Sequence, residues 1–342
     1  MCRPRTVSGI RRGLRANAMR VKIFYHDHCF DGACSAAVFA CFYRQAFDAQ
    51  AEFSYAGLMH RPGGSFGEMQ FDADEHAILD FKFHPSEKIT WWFDHHQSAF
   101  LTVVDEALFR ADTSGRKFFD PGYKSCTKFI ADIARDRFGV ELPELAELIH
   151  WADIIDGAQY PDAETAVNLS APAMQLTLVL EGSKDHRLRQ SIVRALQVRS
   201  LAEVAAGPEI QAAFAPIQAR HERAIEIFRQ VGECHDGVVF FDLTGYDIEG
   251  YNKFIAYWLY PQARYSVSVS RGAHRSKVSV GYNPWSGRPR EHNIASICER
   301  YGGGGHAVVG AVSLAPEALE RARVIAREIA AELRDVSTVE PA

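Results

Sequence analysis

What the sequence lacks narrows the field first. Its 342 residues hold no apolar run of roughly 18 to 20, which excludes a helix spanning a membrane. The seven cysteines show no paired spacing and no C-x-x-C, so they read as free thiols of a reducing cytoplasm and not as a disulfide framework. There is no basic excess: 38 Lys and Arg stand against 43 Asp and Glu, a net charge of −5. That argues against coating long or duplex nucleic acid, while allowing a short anionic substrate held through metal ions. No repeat joins the two halves, and the GGSFGE loop at 63–68 lacks phosphate-loop spacing.

The first twenty residues contain no acid and six Arg, and removing them would take the net charge from −5 to −11. They also lack an apolar signal core, so they are expected to be a dispensable basic extension, with Met19 a candidate initiator ahead of a strand pattern. The rest of the chain, with an apolar share of 47%, is rich enough for a real core and long enough for two domains.

Organised sequence begins with VKIFYH at 21–26, an apolar strand that runs through DHCFDG into the small-residue helix pattern ACSAAVFACFYRQ. The short apolar runs AEFSYA, HAILDF and ITWWFD follow, several of them closing on a charged residue. This rhythm predicts an α/β domain with a mainly parallel sheet over 21–187. Helical text, broken near Gly207-Pro208, predicts a connector over 188–232. A smaller α/β domain is expected over 233–335, with strands at GVVFFDL, YSVSVS, KVSVGY and AVVGAVSLA and a closing amphipathic helix.

The acids and histidines fall in a telling pattern. His26 ends the first strand, Asp31 lies in the turn before the first helix, Asp80 follows Ile78-Leu79, and Asp94-His95-His96 follow Trp91-Trp92-Phe93. The carboxyl ends of parallel strands share one edge, where ligands bind. Carboxylates gathered there raise one another's pKa unless a cation neutralises them, and the mixed oxygen and nitrogen donors suit Mn²⁺, Mg²⁺ or Zn²⁺. Asp153 and Asp156, three apart in HWADIIDGAQY, can face one side of a helix end, and the apolar Ile154-Ile155 beside Asp153 favours it as a further ligand. Cys29 and Cys34 flank this region and read as space-filling. Gly302, Gly303, Gly304 and Gly305 followed by His306 predict a loop whose open amides cradle an anion, with Asn283, Trp285, Arg288, Arg290 and His292 just before it.

HDHCFDG (26–32), ILDF (78–81), FDHHQS (93–98), WAD (151–153) and GGGGH (302–306), in this order, resemble the DHH/DHHA1 phosphoesterases over about residues 21 to 315. The resemblance implies a DHH catalytic domain, a DHHA1 substrate-binding domain and an active site in the cleft between them. It also implies two divalent ions, commonly manganese, activating a hydroxide for phosphoester hydrolysis. By matching position it gives metal-ligand roles to His26, Asp31, Asp80, His95 and Asp153, with Asp80 the bridge. Asp94 would orient a neighbour, His96 would lie near the substrate phosphate, and Gly302–Gly305 with His306 would close on substrate. The first motif departs from the family's His-x-Asp-x-Asp-Gly, so Asp27 or His28 could fill the middle position. The family's cationic residue in the strand read here as KVSVGYN is missing as well, with Arg271, Arg275 or Arg288 as substitutes.

The expected activity is a cytoplasmic, manganese-dependent phosphodiesterase or phosphatase. Its substrates would be short oligonucleotides, 3′-phosphoadenosine 5′-phosphate or cyclic dinucleotides. No membrane partner is expected, and a homodimer is allowed. The alternatives are a RecJ-type single-strand exonuclease and a nucleotide-sensing protein that has lost turnover.

Overall fold

The computed structural model describes residues 18–59, 66, 69–248 and 250–334; most of the basic extension and of the GGSFGE loop lies outside them. The chain divides into unit 1, residues 1–158 with 180–204, and unit 2, residues 159–179 with 205–342.

Unit 1 opens with β1 (Arg20–His26), α1 (Phe30–Ala46), β2 (Glu52–Leu58), β3 (Glu75–Leu79) and β4 (Trp91–Asp94). Then come α2 (Val103–Ala111), β5 (Lys117–Phe119), α3 (Cys126–Phe138) and α4 (Ala146–Asp156). All strand pairings are parallel, in the order β2-β1-β3-β4-β5. The order reverses between β1 and β3, so the crevice outside their carboxyl ends is the topological switch point. His26 closes β1 there, and Asp80 follows β3.

The sheet is buried on both faces, and β4 shows how. Successive strand side chains point to opposite sides, and Trp91 and Trp92 are both wholly buried. Trp91 packs edge-on against Phe39 and Phe42 of α1 and lies against Phe138 of α3. Trp92 meets Phe83 and, from α2, Phe109. Their indole N–H groups donate to Glu75 Oε2 at 2.8 Å and to the Phe81 carbonyl at 2.9 Å. Burial of two tryptophans therefore leaves no orphan donor, and the end of β4 is anchored.

The first turn of α1 approaches the sheet closely at a single glycine. A Cβ on Gly32 would sit 2.0 Å from the His26 carbonyl oxygen, so only glycine lets the helix start against the end of β1.

In chain order the two sheets are joined by α5 (Ala163–Val167), α6 (Pro172–Gly182), α7 (His186–Leu196), α8 (Leu201–Ala205) and α9 (Pro208–Val231). Unit 2 continues with β6 (Gly232–His235), β7 (Val238–Asp242), α10 (Ile255–Leu259), β8 (Tyr265–Arg271) and β9 (Ser276–Tyr282). It closes with α11 (Ile294–Glu299), β10 (Gly304–His306), β11 (Val309–Leu314) and α12 (Leu319–Leu333). The sheet order is β10-β11-β9-β8-β7-β6, mixed because only β7 and β8 run parallel. Helix α12 lays Ile325, Ile329 and Leu333 into a core with Val267, Val269, Val278 and Val280. A second core joins Phe228 of α9 and Ile255 of α10 to Val239 and Phe241 of β7. The protein is thus a mainly parallel α/β unit, a helical connector and a smaller mixed-sheet unit. Among the described residues no helix is long and apolar enough to cross a membrane.

Candidate metal centre

The switch-point edge of unit 1 collects its donors from four segments. Asp80 follows β3 in the left-handed region, at φ +55°, a conformation that costs a non-glycine residue free energy. The cost is met by position: its amide donates to the Phe93 carbonyl at 2.9 Å, and its carboxylate turns into the crevice, 1% exposed. Asp80 Oδ2 lies 3.6 Å from His26 Nδ1 and 3.3 Å from Cys29 Sγ. Asp80 Oδ1 lies 3.4 Å from His95 Nε2.

His95 and His96 are aimed by Asp94. One oxygen, Asp94 Oδ1, accepts the His95 amide at 2.9 Å, the His96 amide at 3.2 Å and His96 Nδ1–H at 2.7 Å. His95 Nδ1–H donates to the Tyr123 carbonyl at 3.2 Å. A carbonyl only accepts, so Nδ1 carries a proton and Nε2 is the nitrogen that faces the acids, the one a metal-bound imidazole would use. Around that nitrogen stand Asp80 Oδ1 and Asp156 Oδ2, both at 3.4 Å, and Asp31 Oδ2 at 3.7 Å.

Asp31 is held by the start of α3, whose Cys126 and Thr127 amides donate to its two oxygens at 2.7 and 2.9 Å. A helix N-terminus favours the anion. Even so, burial and then the neighbouring Asp80 and Asp156 push the Asp31 carboxyl well above its ordinary pKa. Burial and Asp80 likewise push Asp156 up to about 6. Burial also opposes charge on Asp80, but the adjoining His26 and His95 outweigh it and hold that carboxyl well below the usual range. Burial disfavours an imidazolium at His95, yet Asp80, Asp31 and Asp156 raise its pKa. Three carboxylates and an imidazole thus share one crowded, acid-rich pocket whose negative charge a cation would balance.

The fit to a cation rests on orphaned atoms. Asp80 Oδ1 and His95 Nε2 are buried and make no hydrogen bond, which is costly unless something else binds them. Three overlapping sets have donor atoms mutually within 4.8 Å: His26-Cys29-Asp80, Asp80-His95-His96 and Asp31-His95-Asp156.

The expected ligands His26, Asp31, Asp80 and His95 are brought together, while Asp153 lies outside these sets. Its Oδ1 accepts from Ser125 Oγ, the cap of α3, at 3.2 Å. Three residues along a helix advance about 4.5 Å, and it is Asp156, at the end of α4, that reaches His95. Asp27 also turns away. It pairs with the buried Arg189 of α7 at 2.9 Å, in space that exists because residue 57 is glycine. His28 Nε2 is 3.9 Å from Asp27 and in none of the sets. The group beside His26 and Asp80 is Cys29, read from sequence as filler. Its place in the helix-capping turn of HDHCFDG was the available signal.

In unit 2 the glycine run is not an open loop. The Gly302 and Gly303 amides donate to the Glu299 and Cys298 carbonyls and cap α11. Gly304, Gly305 and His306 form the edge strand β10, paired with Ala311, Gly310 and Val309. His306 is exposed, and Arg288 is half-buried, its carbonyl accepting from Tyr282 Oη at 2.7 Å. Arg271 ends β8 and Arg275 lies in the exposed turn before β9.

No protein-family model matches the chain, and no curated protein does. Solved structures do. The pGpG-specific phosphodiesterase PggH of Vibrio cholerae matches with a TM-score of 0.64 at 18% identity, over 92% of this chain and 98% of that one. A DHH domain described as a member of a family of ribosomal proteins matches at 0.55 and 11%, over 93% and 88%. RecJ of Thermus thermophilus in complex with Mn²⁺ matches at 0.51 and 13%, over 93% of this chain and 53% of that one. At such identities the likeness is one of fold, which this chain shares with these solved structures over most of its length.

Proposed function

We propose that this chain is a metal-dependent phosphodiesterase that hydrolyses linear dinucleotides and other short oligonucleotides. The observation that carries the reading is the pair Asp80 Oδ1 and His95 Nε2, buried, unbonded and ringed by acids at the switch-point edge. His26, Asp31, Asp80, His95 and Asp156 would hold the ions, Mn²⁺ being the first choice for the carboxylate-rich position. Bound divalent ions supply Lewis-acid stabilisation of phosphoryl charge and acidify water at neutral pH. Asp94 keeps the two histidines in register, and its bond to His96 Nδ1 leaves His96 Nε2 for a phosphoryl oxygen. In unit 2, His306 and Arg288 serve as substrate contacts.

The likeness to a pGpG-specific phosphodiesterase over nearly the whole of both chains supports starting with that substrate class. The test is a panel of pGpG, longer oligonucleotides, 3′-phosphoadenosine 5′-phosphate and cyclic dinucleotides with Mn²⁺, products resolved chromatographically. Metal-dependent release of mononucleotides from a dinucleotide is expected. Binding of the panel without any turnover would replace the enzyme by a nucleotide sensor.

A further inference from the structure

We propose that Cys29 is a metal ligand, so that the two cation positions meeting at Asp80 differ in kind. One is a thiophilic position at His26, Cys29 and Asp80; the other is a hard, carboxylate-rich position at Asp31, His95 and Asp156. This rests on the metal-dependent reading above and adds to it a thiolate ligand and a metal preference.

The triangle has ligand dimensions. Cys29 Sγ lies 3.1 Å from His26 Nδ1 and 3.3 Å from Asp80 Oδ2, and the third side is 3.6 Å. Ligand atoms on a tetrahedral zinc, at roughly 2.0 Å for nitrogen and 2.3 Å for sulfur, are about 3.3–3.6 Å apart. The thiol is already aimed, because the Gly32 amide donates to Sγ at 3.1 Å and fixes it as the cap of α1. Cysteine is a poor choice for a cap alone, where Ser, Thr, Asp or Asn serve better.

The nearby acids Asp27 and Asp31 face elsewhere: Asp27 Oδ2 pairs with Arg189, and Asp31 Oδ2 faces His95 in the other set. Asp80 divides its oxygens, Oδ2 toward Cys29 and Oδ1 toward His95, and it is the buried Oδ1 that lacks a hydrogen bond. Binding a divalent ion would release the thiol proton to solvent, with no change of oxidation state.

The experiment uses the full chain, stripped of metal and titrated with Co²⁺, whose thiolate complexes absorb by charge transfer in the near ultraviolet. The expected result is a charge-transfer band that saturates with one of two cobalt equivalents. Cys29→Ser keeps a capping oxygen, so it should fold and retain one cobalt while losing the band. Its Zn²⁺ affinity should fall at least about tenfold, with Mn²⁺ affinity at the other position little changed. Cys29→Asp should bind two ions again, with its Zn²⁺-over-Mn²⁺ preference reduced. Stoichiometric cobalt without the band, a band that persists in Cys29→Ser, or no bound cobalt at all would overturn the proposal. Dinucleotide hydrolysis without the band would sink the thiolate and spare the phosphodiesterase. A band that Cys29→Ser abolishes, in a protein that hydrolyses nothing, would do the reverse.

Discussion

Asp80 Oδ1 and His95 Nε2 face each other at 3.4 Å in the buried edge of unit 1, and neither makes a hydrogen bond. A buried carboxylate and imidazole in that state are costly on their own. Asp80→Asn removes the charge and nearly preserves the shape. Metal-dependent hydrolysis should fall at least about 100-fold, and metal content by mass spectrometry should fall with it. Turnover and metal close to wild type would end the case for Asp80 as a shared ligand.

Removing metal should also be visible in stability. Burial and then repulsion from Asp80 push Asp31 and Asp156 upward, and a bound cation offsets the repulsion between these acids. A divalent ion at about 100 times its dissociation constant should stabilise the folded chain by about 2.7 kcal/mol. The check is Tm with excess chelator against Tm with Mn²⁺. The chelated protein should melt lower, and Asp80→Asn should lose most of the difference. Equal melting points in wild type would count against any internal ion.

The two acids of α4 separate cleanly. Asp156 Oδ2 is 3.4 Å from His95 Nε2, whereas Asp153 Oδ1 takes the Ser125 hydroxyl. Asp156→Asn should therefore weaken Mn²⁺ binding by about tenfold or more, and Asp153→Asn by much less. Calorimetric titration of the two variants decides it. The reverse order would restore Asp153 as the ligand.

This pair also marks how far the sequence could be read. The apolar runs of β1, β3 and β4, each ending on an acid or a histidine, already predict a parallel sheet with its donors on one edge. What they leave undetermined depends on contacts between distant segments. Which of two acids three apart reaches His95 is set by how far α4 extends and by Ser125 capping α3. Whether Asp27 or Cys29 faces His26 is decided by Arg189, far along the chain, and by the missing side chain at Gly57. Strand β5 is only Lys117–Phe119, too short for any periodicity to reveal.

Arg189 should matter for stability out of proportion to its distance in sequence from the site. Its guanidinium and the Asp27 carboxylate are 1% and 2% exposed and 2.9 Å apart, and it also donates to the Ser183 carbonyl. Arg189→Met leaves Asp27 buried without its cation, which typically costs about 3–5 kcal/mol. A clear drop in Tm is expected, and Asp27→Asn in the same chain should recover part of it. A Tm unchanged by Arg189→Met would show the pair to be dispensable.

The glycines before His306 offer a way to tell structure from binding. A Cβ on Gly303 would lie 2.2 Å from the Ala311 carbonyl oxygen, and one on Gly305 would lie 2.2 Å from that of Val309. Both partners are backbone in the adjoining strand, so they cannot swing aside, and overpacking of this kind costs about 1–3 kcal/mol. Gly303→Ala and Gly305→Ala should therefore lower Tm. Gly304 is different, because a Cβ there meets nothing within 4 Å. Nor does it require the left-handed φ that Gly302 adopts at +78°. Gly304→Ala should leave Tm nearly unchanged, since neither packing nor backbone conformation asks for glycine. Any loss of kcat/KM on a dinucleotide in that variant would then come from crowding the substrate. An effect confined to KM would mean a contact made equally in the ground and transition states. Metal content should stay at the wild-type level in all three variants. If Gly304→Ala melts as low as Gly303→Ala, the hairpin needs every glycine for its own sake, and the run carries no signal of binding.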